Sequence, residues 1–314
     1  MTNRLLVISI DTEIDKCADW RIATPCSFKS ITEGIPNILS PLFDRYGAIP
    51  TYLLSPEVIE NDEACDVLSD LGIRAELGTH LHPQFIEPER DLWPDNMDGK
   101  NANNIQSQYS REVEARKLQL LTENFKRRFG KSPTSFRAGR YGLSNHSFEL
   151  LAGLGYIVDS SVTPGLIWKY AEGKLDYRKW SNDPQIIKTN AGSIVELPLS
   201  ILPNSRISPY LQLLPNLIQR TAVKALGKRA TFQWLRPSWA KPRDLINYLE
   251  YSTEQVLVLM FHSMEIITGA SPYSVHIEDV KRIISILEEL LEYCAKENIN
   301  AVGMTDAATK SCNI

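Results

Sequence analysis

His80 and His82 stand one residue apart at the end of the run Arg74-Ala75-Glu76-Leu77-Gly78-Thr79-His80-Leu81-His82-Pro83. Side chains alternate along an extended strand, so the two imidazoles face the same way, just before a proline that ends the strand. Two same-facing imidazoles can share one metal ion, although so short a pattern also arises as an exposed pair at a strand end. Asp11 and Glu13 repeat the spacing in Ser9-Ile10-Asp11-Thr12-Glu13, and Arg137, Asp159 and His262 each close a short strand-like run. Carboxylates, imidazoles and a guanidinium in such places suit metal binding and general acid–base work.

These side chains need a scaffold that brings distant strand ends together. Residues 5–10, 49–54, 134–138, 156–158, 193–199 and 257–261 read as strands, besides the one that carries His80. Helical spacing separates several of them. Ile35, Ile38, Leu39, Leu42 and Phe43 follow a capping pattern at Ser30, and Val113 to Phe125 mark a helix over about 110–129. Such alternation builds a parallel sheet with helices outside, and in a parallel barrel the C-terminal strand ends share the face where active sites form. Residues 83–107, with Trp93-Pro94-Asp95 and Asn101 to Asn104, read as a long polar loop, and 162–193 as irregular. A long helix at 277–297 and a short strand at 301–304 are expected to finish the chain. No linker divides it, so 1–314 is expected to form one barrel domain with an insertion around 205–245.

The 314 residues carry a net charge of −4, which gives no reason to expect nucleic acid as partner. Cysteines 17, 26, 65, 294 and 312 are scattered and lack Cys-x-x-Cys spacing, as suits a reducing compartment. The apolar run at 5–10 meets Asp11 too soon for a secretory leader, and nothing approaches the ~20 apolar residues of a membrane span. A cytoplasmic location is therefore expected. Within 205–245, Tyr210, Leu211, Leu213, Leu214, Leu217 and Ile218 precede Arg220, Lys224, Lys228, Arg229 and Arg236. A basic amphipathic helix can lie on a membrane surface. The expected arrangement is nonetheless a leucine face packed on its own domain, with the charges in solvent.

The order of these motifs resembles the polysaccharide deacetylase (NodB-homology, carbohydrate esterase family 4-like) superfamily. Ser9-Ile10-Asp11-Thr12-Glu13 matches its acid pair and Glu76-Leu77-Gly78-Thr79-His80 its Gly-x-His metal motif. Phe136-Arg137-Ala138-Gly139-Arg140-Tyr141-Gly142 matches its Arg-led motif, Asp159-Ser160-Ser161 its acid after a short strand, and Leu259-Met260-Phe261-His262-Ser263 its histidine-ended strand. Together they span residues 9 to 263. Three positions depart from the common pattern. Thr12 stands where a second aspartate is usual, leaving Glu13 as the nearest acid. Gln84 stands where the second metal histidine is usual, leaving His82 as the substitute. The usual proline of the Arg motif is missing around Gly139-Arg140.

The resemblance implies an α/β fold, an irregular (β/α) barrel with about seven parallel strands. It also implies a divalent metal ion held by His80, His82 and Glu13, zinc being suited to nitrogen and carboxylate ligands. In that reading Asp11 takes a proton from the attacking water and His262 protonates the leaving amine. Arg137 pairs with Asp11, and Asp159 anchors Arg137. Arg140 and Tyr141, the latter through its backbone N–H, are implied contacts of substrate or oxyanion. Glu196 reads as structural. The implied activity is removal of an N-acyl group, acetyl or formyl, from an amino sugar, as a glycan or an activated sugar, in cell-surface polysaccharide synthesis. The rivals are an allantoinase-like hydrolase of a small amide and a catalytically silent carbohydrate-binding protein on the same scaffold.

Overall fold

A computed structural model describes residues 4–91, 104–170, 173–214, 216–227 and 231–313. Its central strand, β1 (Leu5–Thr12), sets the two faces of the sheet by simple alternation. Leu6, Ile8 and Ile10 pack with Ile31, Ile35, Leu118 and Ile283, residues of the outer helices. Leu5 and Val7 pack instead with Val158, Val195, Val256 and Val258 from other strands. Ser9 and Asp11 continue this second, inner face. The inner core is therefore apolar at one end and polar at the C-terminal strand ends.

The remaining strands are β2 (Thr51–Leu54), β3 (Glu76–Leu81), β4 (Ser135–Ala138), β5 (Val158–Asp159), β6 (Ile167–Tyr170), β7 (Gly173–Asp176), β8 (Gln185–Thr189), β9 (Gly192–Glu196), β10 (Ile201–Pro203), β11 (Phe232–Trp234), β12 (Val256–His262) and β13 (Asn300–Ala301). The main sheet runs β12-β1-β2-β3-β4-β5-β9-β8. Strands β12 through β9 are mutually parallel, β8 is antiparallel, and β13 pairs with the start of β1. The sheet curls into an open barrel. No strand ladder joins β9 to β12. Single residues bridge the seam: Ser200 N donates to Val258 O at 3.1 Å, Leu235 N to Ser200 O at 3.0 Å, and Met260 N to Leu235 O at 3.2 Å.

Three stretches differ from the sequence expectation, and parts of two expected segments fall outside the described residues. The segment 162–193 is not irregular throughout, since β6 and β7 form a hairpin and β8 extends the sheet. The chain does not end in a strand. After β13 comes the helix Met304–Cys312, started by Gly303 in extended conformation, and Met304, Ala307 and Ala308 fill the inner core. Trp93-Pro94-Asp95, Asn101, Asn103, Lys228 and Arg229 lie outside the described residues. Last, residues 204–231 make an excursion between β10 and β11, closed by Asn204 N donating to Thr231 O at 3.0 Å. Its apolar side chains are not all packed inward: Leu211 and Leu214 are half-buried, but Leu213, Leu217 and Ile218 are exposed. Gln212 ties the excursion to the barrel by polar bonds, accepting from Ile167 N and donating to Gly165 O, and the apolar side is left facing out.

Candidate metal centre and surrounding cavity

Alternation places Asp11 on β1, His80 on β3, Arg137 on β4 and His262 on β12 together at the inner, C-terminal end of the barrel. The register confirms the levels, with Asp11 opposite His262 and His80 opposite Arg137. Glu13 and His82 extend the same faces by two residues. Glu13, His80 and His82 each offer a ligand atom, and these atoms lie within 4.8 Å of one another.

The donor set fits a metal ion. His80 Nδ1 faces the carbonyl of Arg137 at 2.9 Å, so that nitrogen carries the proton and Nε2 keeps its lone pair. Nε2 is buried without a hydrogen bond, 3.5 Å from Glu13 Oε1 and 3.9 Å from Asp11 Oδ2. An orphaned imidazole nitrogen beside two carboxylates calls for a cation. Glu13 Oε1 is also 3.2 Å from His82 Nε2, while its Oε2 is held by Lys16 at 3.4 Å. One carboxylate oxygen is thus committed and the other is offered.

Gln84 has a part of its own. Its carboxamide sits 3.2 Å from His82 Nδ1, and its Oε1 is buried without another partner. With the amide turned so that Oε1 accepts from Nδ1–H, His82 Nε2 is bare toward Glu13 and His80. Gly139 allows the close packing behind this ring. A Cβ there would meet the carbonyl of Leu81 at 2.6 Å and His82 Cε1 at 3.2 Å. Gly139→Ala is expected to destabilise the fold by about 1–3 kcal/mol and to weaken metal binding, because the backbone oxygen has no room to retreat and the ring must move. Urea unfolding and a zinc titration check this, and wild-type values in both would refute it.

Charges at the site are balanced. Burial works to raise the Asp11 carboxyl, but Arg137, His80 and His262 together hold it below the ordinary range. Burial likewise opposes ionisation of Glu13, and His82 and Lys16 outweigh it by a wide margin. Burial pushes His82 down to about 4, so it stands neutral, as a ligand must.

Arg137 is wholly buried and spends its donors on Asp11 Oδ1 (2.6 Å), Ser9 Oγ (2.8 Å), Ser160 O (2.7 Å) and Ser160 Oγ (3.0 Å). The expected anchor, Asp159, is not among these partners. Register explains why: Asp159 lies opposite Phe136 and Glu196, on the helix-facing side, whereas Arg137 points inward. Asp159 instead accepts from the backbone and hydroxyl of Ser161, and burial with a neighbouring carboxylate pushes Glu196 well up, so Glu196 holds the proton of that pair. Glu196 Oε1 also accepts from Val162 N.

Residues not singled out from sequence complete the acid side. His262 Nδ1 is 2.7 Å from Glu265 Oε1, and Glu265 is paired with Arg236. Burial would raise the Glu265 carboxyl, but Arg236 and His262 hold it at about 2. Arg236 therefore belongs to the site and not to the solvated basic run. It is clamped between the rings of Trp239 and Tyr273, 4.4 and 4.9 Å from their centroids. His262 Nε2 is left toward the centre, 3.9 Å from Glu13 Oε1. The spacing His262-x-x-Glu265, from the last residue of β12 into the turn that follows it, was the available signal.

A cavity of about 840 Å³ opens above these groups, walled by Trp20, Trp168, Tyr170, Trp234, Trp239 and Tyr273. Arg140 and Tyr141 line it too, both with left-handed backbones (φ 54° and 59°). Their carbonyls accept from Tyr170 and Tyr177 hydroxyls at 2.8 and 2.9 Å, which hold the strained turn in place.

Sequence comparison finds no matching family model and no matching curated protein. Solved structures do match. One described as a glycoside hydrolase/deacetylase from Parabacteroides distasonis has a TM-score of 0.56 at 10% identity, over 98% of this chain and 72% of that one. One described as a polysaccharide deacetylase from Mycobacterium smegmatis has a TM-score of 0.51 at 14% identity, over 99% and 91%. The Puue allantoinase has a TM-score of 0.51 at 11% identity, over 97% and 88%. What the chain shares with them is the fold, the curled α/β barrel of the polysaccharide deacetylase type.

Proposed function

We propose that this chain is a metal-dependent hydrolase that removes an N-acyl group, acetyl or formyl, from an amino sugar in cell-surface polysaccharide synthesis. The observation that carries this reading is the meeting of four things on one cavity floor: an orphaned histidine–carboxylate ligand set, an ionised aspartate, a histidine backed by a carboxylate, and walls of aromatic rings. His80, His82 and Glu13 would hold the ion, zinc by the nature of the donors, and the ion would supply Lewis acidity that acidifies water and polarises the acyl carbonyl.

The chain's own residues divide the proton work. Asp11 is kept ionised and oriented by Arg137, with Oδ2 facing the centre, so it accepts the proton of the attacking water. His262, with Nδ1–H directed to Glu265, presents Nε2 to the leaving nitrogen and delivers a proton there. The backbone N–H of Tyr141 is the proposed donor to the developing oxyanion, and Arg140 the proposed substrate contact. Asp159, paired with Glu196, acts only at a distance by fixing the Ser160-Ser161 turn that grips Arg137.

The cavity favours a sugar over a small ureide. About 840 Å³ with six aromatic rings on its walls suits pyranose faces and an extended ligand, whereas a compact cyclic amide would fill only a fraction of it. The test is release of acetate or formate from N-acylated amino sugars by the zinc-loaded protein, with allantoin as competitor substrate. Acyl release from a sugar is expected, with a loss on the order of a thousandfold in kcat for Asp11→Asn at unchanged metal content. Turnover of allantoin alone, or undiminished turnover by the Asp11→Asn variant, would overturn the reading.

A further inference from the structure

The described residues of the excursion 204–231 present an apolar surface, with cations beside it, that the barrel does not cover. Tyr210, Leu213, Leu217 and Ile218 are 68, 52, 78 and 51% exposed, and Ile207 and Leu226 are exposed at its ends. Large exposed apolar side chains grouped on one short segment mark an interaction site. The charge around them is of one sign. Between Asn204 and Thr231 the sequence holds five lysines and arginines and no acid, in a chain whose net charge is −4. Arg206 and Lys224 stand exposed beside the apolar side chains.

We propose that this face docks the protein on the surface of an anionic phospholipid bilayer. Exposed leucine, isoleucine and tyrosine enter the headgroup boundary, while the cations meet lipid phosphates. The charge pattern decides against self-association through a two-fold axis, which would set this segment, five cations and no acid, against its own copy. Among the described residues no helix is long and apolar enough to cross a membrane, so the segment lies on the surface. Docking also orients the cavity. Gln212 is bonded to β6, whose Trp168 and Tyr170 line the cavity, and the excursion returns through β11, whose Trp234 lines it too. The mouth is thereby held near the headgroup plane.

The test is flotation of the full chain with vesicles of phosphatidylcholine, with and without phosphatidylglycerol, at low salt. It needs no turnover, so its outcome is separate from that of the hydrolase reading. Wild type is expected to float with the phosphatidylglycerol vesicles and to be released by added salt. Lys224→Gln should weaken partitioning about fivefold, and the double variant Leu217→Glu/Ile218→Glu more than tenfold. All three residues are exposed, and unchanged circular dichroism and metal content should show that the barrel is intact. The proposal is overturned if wild type ignores anionic vesicles or if the double variant binds them equally well. It is also overturned if sedimentation shows a wild-type dimer that the double variant dissolves, with no vesicle binding, since a second copy would then occupy the face.

Discussion

His80→Ala is expected to remove the metal ion and, with it, all measurable hydrolysis. The imidazole is locked from behind by the Arg137 carbonyl and aims a buried, otherwise unsatisfied Nε2 at the centre of the ligand set. Groups that merely orient a ligand are worth ten- to a hundredfold in affinity, so loss of one of three direct ligands should cost more than about a hundredfold. Elemental analysis of protein purified without added metal or chelator should give near one equivalent for wild type and none for His80→Ala or His82→Ala. A second readout is independent of turnover: added zinc should raise the thermal midpoint of wild type and leave both variants unmoved. Full metal content in both variants would sink the ligand assignment, Glu13 included.

Arg137→Met should be the most damaging single substitution for the fold. It keeps most of the volume but leaves Asp11 ionised, buried and without its 2.6 Å partner, a loss of about 3–5 kcal/mol. The pH dependence distinguishes this cause from simple repacking. In wild type the Asp11 pKa is lowered on folding, so its contribution is fully present above the unfolded value of about 3.9 and fades as pH falls through the folded value. In the variant the upward push of burial has lost its main opponent, and the folded pKa moves above the unfolded one. Stability of the variant then falls as pH rises between those two values. The gap between wild type and variant should be widest near neutral pH and should narrow on acidification. Urea unfolding at pH 7 and pH 5 measures it. A gap that is constant with pH would assign the loss to packing alone.

Much of the site was legible because sheet geometry is periodic. Val7-Ser9-Asp11 and Val258-Met260-His262 each alternate with residues that face the helices, so motif position alone predicts a shared polar end. The resemblance misled at Asp159, where alternation offered no check. Strand β5 has only two residues, and nothing in so short a run says which one faces inward until its register with Phe136 is known. Arg236 was read as a surface cation because it ends a basic stretch. Only the bridging of the seam by Leu235, its neighbour, brings it beside Glu265. The outward leucines of the excursion were misjudged for a related reason. Helical spacing shows that an apolar face exists, but not whether the barrel has a surface to meet it.

The seam between β9 and β12 has a consequence for how this barrel can change. A closed ladder fixes the length of every connection that crosses it, whereas here the chain has only to leave near Ser200 and return at Leu235. The entropy of closing a flexible loop grows slowly, each doubling of length costing about 0.6 kcal/mol. Residues can be gained or lost between Asn204 and Thr231 at little thermodynamic cost, and every such change arrives beside the cavity mouth without touching Asp11, His80 or His262. The gap in the sheet is thus where insertions and deletions should be tolerated, and where a lineage of such barrels is free to diverge while its polar floor stays constant.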